Sequence, residues 1–463
     1  FFCIILQIII KIIMVKYMNE LKIYNSKRDF NKTKEPKGKV NKTNKKRFCL
    51  QHHLATHDHY DLRLEHNGVL VSFAIPKGPS YNPNEKRLAI KVEDHPLSYR
   101  NFEGIIPPKE YGAGIVMLFD EGTYKEIEFN EKLIKVIFNG ERLRGMWTLT
   151  KFKDNNYLLI KDKDFYENYI DLKQYERSIK TGRTMNEIKE SQQNSTITIS
   201  NPKKKIINNI NKEEIFNYYQ DIYKHMYPYI TNCFISVKRA PNGINNDIFF
   251  KKHLENTNNY LKRKFLKKDY YYYILDKLSL LSEVQMNSYE FHLWGSNATT
   301  YLKPNIMVFD LDPDEKISIK KLREGVKDLK NILDKLNLKS YLKTSGNKGY
   351  HILVPLKKEM TWKKFSKVAE NIALLMEKTW PSKYTTNNRI QARKNKIFID
   401  YLRNTYTATF VAPYSIRLKP NAPISMPISW NDLDKIKPNE ITIKNYKKYL
   451  KKKDPWQDFF DLS

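Results

Sequence analysis

Residues Gln51 to Glu65 read QHHLATHDHYDLRLE and hold four histidines within eight positions. From Asp58 onward the residues alternate with a period of two. In a β-strand, side chains at i and i+2 share a face, so His59, Asp61, Arg63 and Glu65 line one side. Tyr60, Leu62 and Leu64 then line the other side and bury. Histidine with carboxylate is a transition-metal ligand set, and without thiolates it suits Mn²⁺ or Zn²⁺. His53 reaches the same ion from a neighbouring turn, and Arg63, permanently charged, grips a phosphate beside it. His52, His57 and Asp58 fall off the register and are expected in solvent. On spacing alone, a metal site and the wet face of a half-buried strand both remain open.

Working outward, residues 47–165 are β-rich. Val69 to Ile75 is a β-branched and aromatic run that ends at Pro76-Lys77-Gly78-Pro79. Leu88 to Val92 is another, and Gly112-Ala113-Gly114 precedes Ile115 to Phe119. Short strands between Gly/Pro turns predict a small barrel or sandwich. Residues 171–195 lose periodicity, end in KESQQNST and read as a polar linker. Beyond 196 the texture changes. Ile319, Leu322, Val326, Leu329, Ile332, Leu333 and Leu336 follow helical spacing behind a Ser318 cap. Phe365, Val368, Ala369, Ile372, Leu375 and Met376 repeat the pattern. Strand-like runs at Ile306–Phe309, Tyr341–Leu342, His351–Val354 and Ile397–Ile399 alternate with these helices, predicting a mixed α/β domain over 196–450 and a tail at 451–463. The expected organisation is therefore multidomain, with the β-rich domain at 21–170. Residues 1–20 form an apolar leader whose first fifteen residues, FFCIILQIIIKIIMV, are short of the ~20 needed to span a bilayer. They read as upstream sequence, with translation starting at Met14 or Met18.

The second region carries its own carboxylates. Asp310-Leu311-Asp312 follows an apolar run, so both acids share a strand face; Asp400 ends another such run. Three carboxylates on adjacent strand ends can hold two Mg²⁺ or Mn²⁺ ions, one activating a 3′-hydroxyl and one clamping a triphosphate. A DxD alone is common in surface loops. Asp314 and Glu315 read as helix-start acids. Ser345-Gly346-Asn347-Lys348-Gly349-Tyr350-His351 offers backbone N–H groups and charge to phosphates, without the spacing of a P-loop.

Composition sets the context. Lys and Arg outnumber Asp and Glu by 82 to 51, a formal charge of +31 over 463 residues. That fits a polyanionic partner, and it also fits a proteome that paints every surface basic. Three cysteines without a CxxC pair exclude a disulfide scaffold and a Cys-type zinc site and favour a reducing compartment. The 13% aromatic content suits base stacking and cores alike.

Two sets of motifs carry a family resemblance. QHHLATHDHYDLRLEHNGVLVSFAIPKGPS, KRLAIKVEDHPLSYRNFEG and IPPKEYGAG resemble the 3′-phosphoesterase module of bacterial and archaeal ligase D repair proteins. The resemblance implies manganese ligands at His53, His59 and Asp61. It implies action on the scissile phosphate by His95, Tyr99 and Arg63, with His95 stabilising developing charge. Supporting roles fall to Arg28, Asp29, Glu35, Gln51, Lys77, Arg87 and Glu93. Farther along, VFDLDP, LKTSGNKGYH, FIDYLRN and VAPYSIR resemble, in order, the ligase D polymerase module of the archaeo-eukaryotic primase superfamily. This implies metal carboxylates at Asp310, Asp312 and Asp400, binding Mn²⁺ or Mg²⁺. Triphosphate contacts are implied at Ser345, Lys348, His351, Arg403, Arg417 and His292. Template contacts fall to Phe249, Phe250 and Lys252, and 5′-phosphate contacts to Lys204 and Lys212.

The activities implied are removal of a 3′-terminal ribonucleoside and 3′-phosphate, then templated addition of nucleotides, with ribonucleotides the expected preference over deoxyribonucleotides. The setting is non-homologous end joining in the cytoplasm, associated with the nucleoid and with no membrane partner. No KxDG, the adenylation motif of ATP-dependent ligases, occurs in the sequence. A separate ATP-dependent ligase and a Ku homodimer are therefore expected partners at 5′-phosphorylated DNA ends, overhangs and gaps. Two other readings stand beside this one: a primase making RNA primers, and a non-catalytic module that bridges DNA ends.

Overall fold

The computed structural model describes residues 21–39, 43, 45–253, 260–267, 269–450 and 454–461. The leader and, in the tail, residues 451–453 and 462–463 lie outside the described residues. The chain divides into two units, 1–196 and 197–463.

In the first unit, alternation and turn residues build ten strands. They are Arg47–Leu54 (β1), Asp58–His66 (β2), Val69–Ile75 (β3), Arg87–Lys91 (β4), His95–Pro96 (β5), Gly104–Ile106 (β6), Gly114–Phe129 (β7), Leu133–Gly140 (β8), Arg144–Lys153 (β9) and Asn156–Lys161 (β10). The hydrogen-bonded order β1-β2-β3-β4-β10-β9-β8-β7 returns to β1, which closes a barrel; β5 pairs with β3, and β6 with β7. Closure removes the exposed edges an open sheet would present. The long strand β7 needs a glycine where it meets the end of β8: a Cβ at Gly122 would lie 2.3 Å from the Asn139 carbonyl oxygen. Phe48, Leu50, Leu62, Leu64 and Phe73 are fully buried and anchor the wall.

The stretch read as a polar linker is held to this unit instead. Leu172, Tyr175 and Ile188 are buried, and a five-residue helix, Met185–Lys189, follows a Thr184 capping box. Its anchor is the Glu103 carboxylate, which accepts hydrogen bonds from Ser178, Thr181 and Arg183. Burying one acid under several donors fixes a segment whose composition looked free.

The second unit, besides a two-stranded ribbon of Lys205–Ile207 and Ile210–Asn211, holds two six-stranded sheets. One runs Lys262–Leu266, Asp269–Tyr273, Cys233–Arg239, Ser288–Asn297, Phe410–Val411, with Phe249–Lys251 also on Cys233–Arg239. The other runs Tyr384–Thr385, Ile397–Asp400, Ile306–Pro313, Tyr350–Pro355, Tyr341–Thr344, Pro427–Ile428. The expected helices form as Ile319–Lys335, capped by Ser318, and Trp362–Thr379, capped by Thr361. Leu322, Val326, Leu329 and Leu333 are buried, as are Phe365, Ala369 and Met376. Leu336 and Leu375 are exposed, the first because the helix has already ended at Lys335. Asp314 and Glu315 are not helix-start acids: the first turn holds no acid, and Glu315 instead accepts from Lys348 at 3.1 Å.

Candidate active sites

The first site is built on one face of the β1–β2 pair. Antiparallel register sets His53 opposite His59, Gln51 opposite Asp61 and Cys49 opposite Arg63. Directly opposed residues share a face, so the period-two reading of β2 extends across to β1. Two backbone carbonyls then fix the histidine tautomers. His53 Nε2 lies 2.9 Å from the Gly112 oxygen, so its N–H points there and Nδ1 turns a lone pair toward Asp61 Oδ2, 3.6 Å away. His59 Nδ1 donates to the His57 oxygen at 2.8 Å, leaving Nε2 3.8 Å from Asp61 Oδ1. One ligand atom from each of His53, His59 and Asp61 lies within 4.8 Å of the others, the only such cluster among the described residues. Carbonyl-oriented imidazoles beside a carboxylate fit a divalent metal. Gly114 makes room: a Cβ there would meet Leu54 O at 2.4 Å and His53 Nε2 at 3.1 Å.

Cations crowd the other end of this face. Arg63, 3% exposed, donates to Asp61 Oδ2 at 2.9 Å and to Gln51 Oε1 at 2.8 Å. Burial pushes the Asp61 carboxyl up, but Arg63, with His53 and His59, more than reverses this and holds it well below the usual carboxylate range. Arg28 packs 3.8 Å over the Tyr24 ring, pairs with Glu35 at 2.8 Å and Glu93 at 3.4 Å, and reaches His95 Nε2 at 3.3 Å.

His95 differs from expectation. Burial, then the Arg63 and Arg28 charges, push its pKa well below the usual value, so the ring is neutral. Its Nδ1 lies 2.8 Å from the Glu93 carbonyl and 3.0 Å from Arg63 Nη1, and its Nε2 lies 3.3 Å from Arg28 Nη2. Positive charge for a phosphate therefore resides on Arg63 and Arg28. Tyr99, 2% exposed, lies against His95 and gives its hydroxyl to Glu35 at 3.1 Å, away from the metal ligands.

The remaining expected positions divide. Arg28, Glu35, Gln51 and Glu93 frame the cluster. Asp29 turns outward to Lys32. Lys77 and Arg87 line a different cavity, of about 910 Å³, with His52, Asp58 and Tyr60, and Arg87 pairs with Glu85. His52 is not solvated as its register suggested: it stacks on Tyr60 at 4.2 Å and bonds Asp58 at 2.7 Å. A cavity of about 500 Å³, bordered by His57, His59, Lys109 and Gly112, opens beside His59.

The second site lies on a single row across four neighbouring strands. Lys343 opposes His351, His351 opposes Asp310, and Asp310 opposes Asp400. Asp312 sits two residues on, on the same face. Each carboxylate is turned to its own partner: Asp310 to the neutral His351 ring at Nε2, 3.3 Å away, Asp312 to Arg393 at 3.5 Å, Asp400 to Arg403 at 3.0 Å. Burial would raise Asp310, yet His351, Arg403 and Lys343 hold it well below the usual range. Asp312 and Asp400 stay above theirs, chiefly through burial, with Asp310's charge adding to both. Like charges and separate partners keep the three from closing together as tightly as the first cluster.

The residues expected to contact phosphates and template fall as follows. Ser345 Oγ accepts the Asn347 and Gly349 N–H groups, and its carbonyl accepts Arg417 Nη1 at 2.6 Å. Lys348 projects into solvent. Arg417 and His292 meet on Glu290, at 3.0 and 2.9 Å. Phe249 and Phe250 are about half exposed on their edge strand, Phe250 edge-on to His292 at 5.4 Å; Lys252 is exposed beside them. Lys204 is exposed and bonds Asn242, whereas Lys212 is 2% exposed with its ammonium on the Gln285 carbonyl. Sequence reasoning missed Glu290, Lys343 and Arg393. Glu290 was within reach, because it shares a strand face with His292 two residues away.

Comparison with known proteins follows the same division. A model of the DNA ligase D 3′-phosphoesterase domain matches residues 51–151, and one of the LigD primase-polymerase domain matches residues 211–456. The multifunctional non-homologous end joining protein LigD of Pseudomonas aeruginosa is 32% identical over 240 residues, 49% of this chain and 28% of the relative. Its Mycolicibacterium smegmatis counterpart is 43% identical over 159 residues, 32% of this chain and 21% of the relative. The bifunctional LigD of Bacillus subtilis is 26% identical over 253 residues, 54% and 41% respectively. The chain thus spans well under half the length of these relatives. Among solved structures, the polymerase domain of Mycobacterium tuberculosis ligase D in complex with DNA matches with a TM-score of 0.53 at 24% identity. It covers 57% of this chain and 98% of that one, a likeness of fold.

Proposed function

The chain belongs to the LigD family, with both a 3′-phosphoesterase and a primase-polymerase domain, and on that premise we propose that it processes broken DNA ends for non-homologous end joining. The first unit trims 3′ ends to a hydroxyl, removing a terminal ribonucleoside and then the 3′-phosphate. The second adds nucleotides, ribonucleotides by preference, across overhangs and gaps carrying a 5′-phosphate. The observation that carries the reading is the coexistence of two differently built metal-ligand sets in one chain.

At the first site His53, His59 and Asp61 are the residues that would hold Mn²⁺, which supplies Lewis acidity and an activated water. Arg63 and Arg28 neutralise the phosphate; neutral His95, 3.0 Å from Arg63 and 3.3 Å from Arg28, holds the two guanidinium groups in place. At the second site Asp310, Asp312 and Asp400 would hold Mg²⁺ or Mn²⁺, which orients the 3′-hydroxyl and the triphosphate. Ser345, Lys348, His351, Arg403, Arg417 and His292 bind the phosphates, while Phe249 and Phe250 stack on the template base. Ku and a separate ligase are the proposed partners, and the cytoplasmic nucleoid the proposed location; among the described residues no helix is long and apolar enough to cross a membrane.

One incubation tests the reading: a gapped duplex with a 3′-terminal ribonucleotide, Mn²⁺ and NTPs. Products one nucleoside shorter, followed by products extended to the end of the gap, are expected. Unchanged substrate with intact binding would sink the enzymatic reading.

A further inference from the structure

Lys109 is the least expected residue of the first unit. It stands in the loop between β6 and β7 at φ 74°, in the left-handed region that a residue with a Cβ rarely adopts. Asparagine and glycine hold most of the described positions of this kind, and a lysine side chain does nothing to ease such a backbone. Gly112, three residues on, is also left-handed at φ 76°, and its carbonyl is the one that orients the metal ligand His53. The loop is tied down around Lys109. Glu110 N–H donates to the Pro107 carbonyl at 3.2 Å, and Ala113 N–H to the Glu110 carbonyl at 3.0 Å. The Glu110 carboxylate pairs with Lys32 at 3.7 Å, and the Tyr111 hydroxyl lies 3.2 Å from Lys27 and 3.4 Å from Glu93. The fold thus holds a strained backbone in place while the Lys109 side chain itself anchors nothing.

That side chain is exposed and borders the cavity of about 500 Å³ beside His59. Two acids share the border, and both have other partners: Asp58 bonds His52, and Glu110 pairs with Lys32. Among the described residues no carboxylate lies within ion-pairing distance of Lys109. A strained residue kept at the rim of a reactive centre marks function rather than folding. We propose that Lys109 grips a second backbone phosphate of the DNA strand being trimmed, the one nearest the scissile phosphate on its 5′ side. The inference rests on the trimming reading and deepens it.

The direction follows from the chemistry of the end. The scissile phosphate belongs between the metal ligands and Arg63. The cavity lies toward the other end of β2, with Ala55 to His59 on its wall, whereas Arg63 stands four residues beyond His59. Past a 3′-terminal ribonucleoside the strand carries no further phosphate, so every other phosphate of that strand lies on the 5′, retained side. An ammonium at this border therefore meets strand that stays through both reactions. Lys109 serves nucleoside removal and 3′-phosphate removal alike, because the retained phosphate is the same in each. A point charge on a flexible four-carbon stem suits that task. Such phosphate contacts fix register and carry no sequence information, as an enzyme that meets ends of any sequence requires.

Single neutral methylphosphonates in a gapped duplex test the assignment, with one series ending in a 3′-ribonucleotide and one in a 3′-phosphate. In unmutated protein, neutralising the nearest 5′ phosphate is expected to raise KM about fivefold for both ends. Lys109→Gly should raise KM as much on the natural duplex, and the methylphosphonate should then add nothing. The slope of log KM against log salt should shrink by about 0.9 in the same variant. Lys109→Arg, which keeps the charge, should keep both the penalty and the slope. Lys109→Gly also relieves the backbone, so Tm is expected to rise by about 2 °C. A methylphosphonate penalty of equal size in unmutated protein and in Lys109→Gly overturns the contact. So does a KM effect confined to the ribonucleotide end, which would place Lys109 against the departing nucleoside. A fall in Tm for Lys109→Gly overturns it as well, by making the lysine a part of the fold. Unmutated protein that trims neither end refutes the trimming reading instead, which separates the two failures.

Discussion

The two sites solve opposite electrostatic problems. In the barrel, one carboxylate faces the two histidines: Arg63 already bonds Asp61, and both histidines are aligned by backbone carbonyls before any ion arrives. In the second unit three carboxylates share one corner, and each leans on a different partner, the neutral His351 or the charged Arg393 or Arg403. The first site is assembled in advance and waits for an anion. The second holds an excess of negative charge that only incoming cations relieve. Preorganisation therefore resides in hydrogen bonds at one site and awaits ligands at the other.

The strongest way to break that comparison is to remove ligands one site at a time. Asp310→Ala with Asp312→Ala is expected to lower nucleotide addition by more than about a thousandfold while 3′ trimming stays within about twofold. His59→Ala should do the reverse. Both reactions can be read from one gel of product lengths, and loss of both activities in either folded variant would show that the sites are not independent.

Next in size is the cost of removing a cation. Arg63→Ala leaves Asp61 charged and buried without its partner, and about 3–5 kcal/mol of stability should be lost. Arg393→Ala exposes nothing comparable, because Asp312 is 45% exposed at its side chain; about 0.5 kcal/mol or less is expected. Urea unfolding of the two variants measures the contrast. Equal losses would mean that the barrel site is no more preassembled than the other.

How far this contrast was legible depends on distance along the chain. His59, Asp61 and Arg63 were readable because a strand repeats every two residues, and Asp310 with Asp312 for the same reason. Asp400 needed only its own apolar run. What escaped depends on partners that sequence does not place side by side. His53 Nε2 is fixed by a carbonyl 59 positions away, and Lys343 is held by Ser425, 82 positions away. The 171–195 stretch looked like linker because its polar residues are satisfied by Glu103, some 75 to 80 residues upstream. Lys212 looked like a phosphate contact, and its burial on the Gln285 carbonyl lies equally beyond composition or spacing.

A smaller effect concerns Lys348, which stands in solvent and, among the described residues, pairs only with the exposed Glu315. Such a pair contributes little to folding, so Lys348→Ala should leave Tm unchanged within error. If the loop grips a triphosphate, KM for NTP should rise about fivefold, as expected for one charged contact of about 1 kcal/mol. Steady-state titration of NTP on a fixed gapped duplex reads this directly. A fall in kcat with constant KM would place Lys348 in the reacting geometry instead.

The smallest expected effect is the most discriminating, because its sign differs between the sites. In metal-free protein Asp312 has a raised pKa, through burial and the Asp310 charge. Its folded form thus binds protons more readily than its unfolded form, and stability rises as pH falls through the ordinary carboxylate range. Asp312→Asn removes that penalty at neutral pH, so Tm in the presence of chelator should rise by about 2 °C, and the gain should fade as pH approaches about 4. Asp61 has a lowered pKa, so its contribution to stability is present above the unfolded pKa and is lost only as pH falls through the folded value. Asp61→Asn should therefore lower Tm at neutral pH under the same conditions. Thermal unfolding of the two variants across pH, with chelator present, compares a carboxylate that the fold has already neutralised with one held against its own charge for the sake of a ligand.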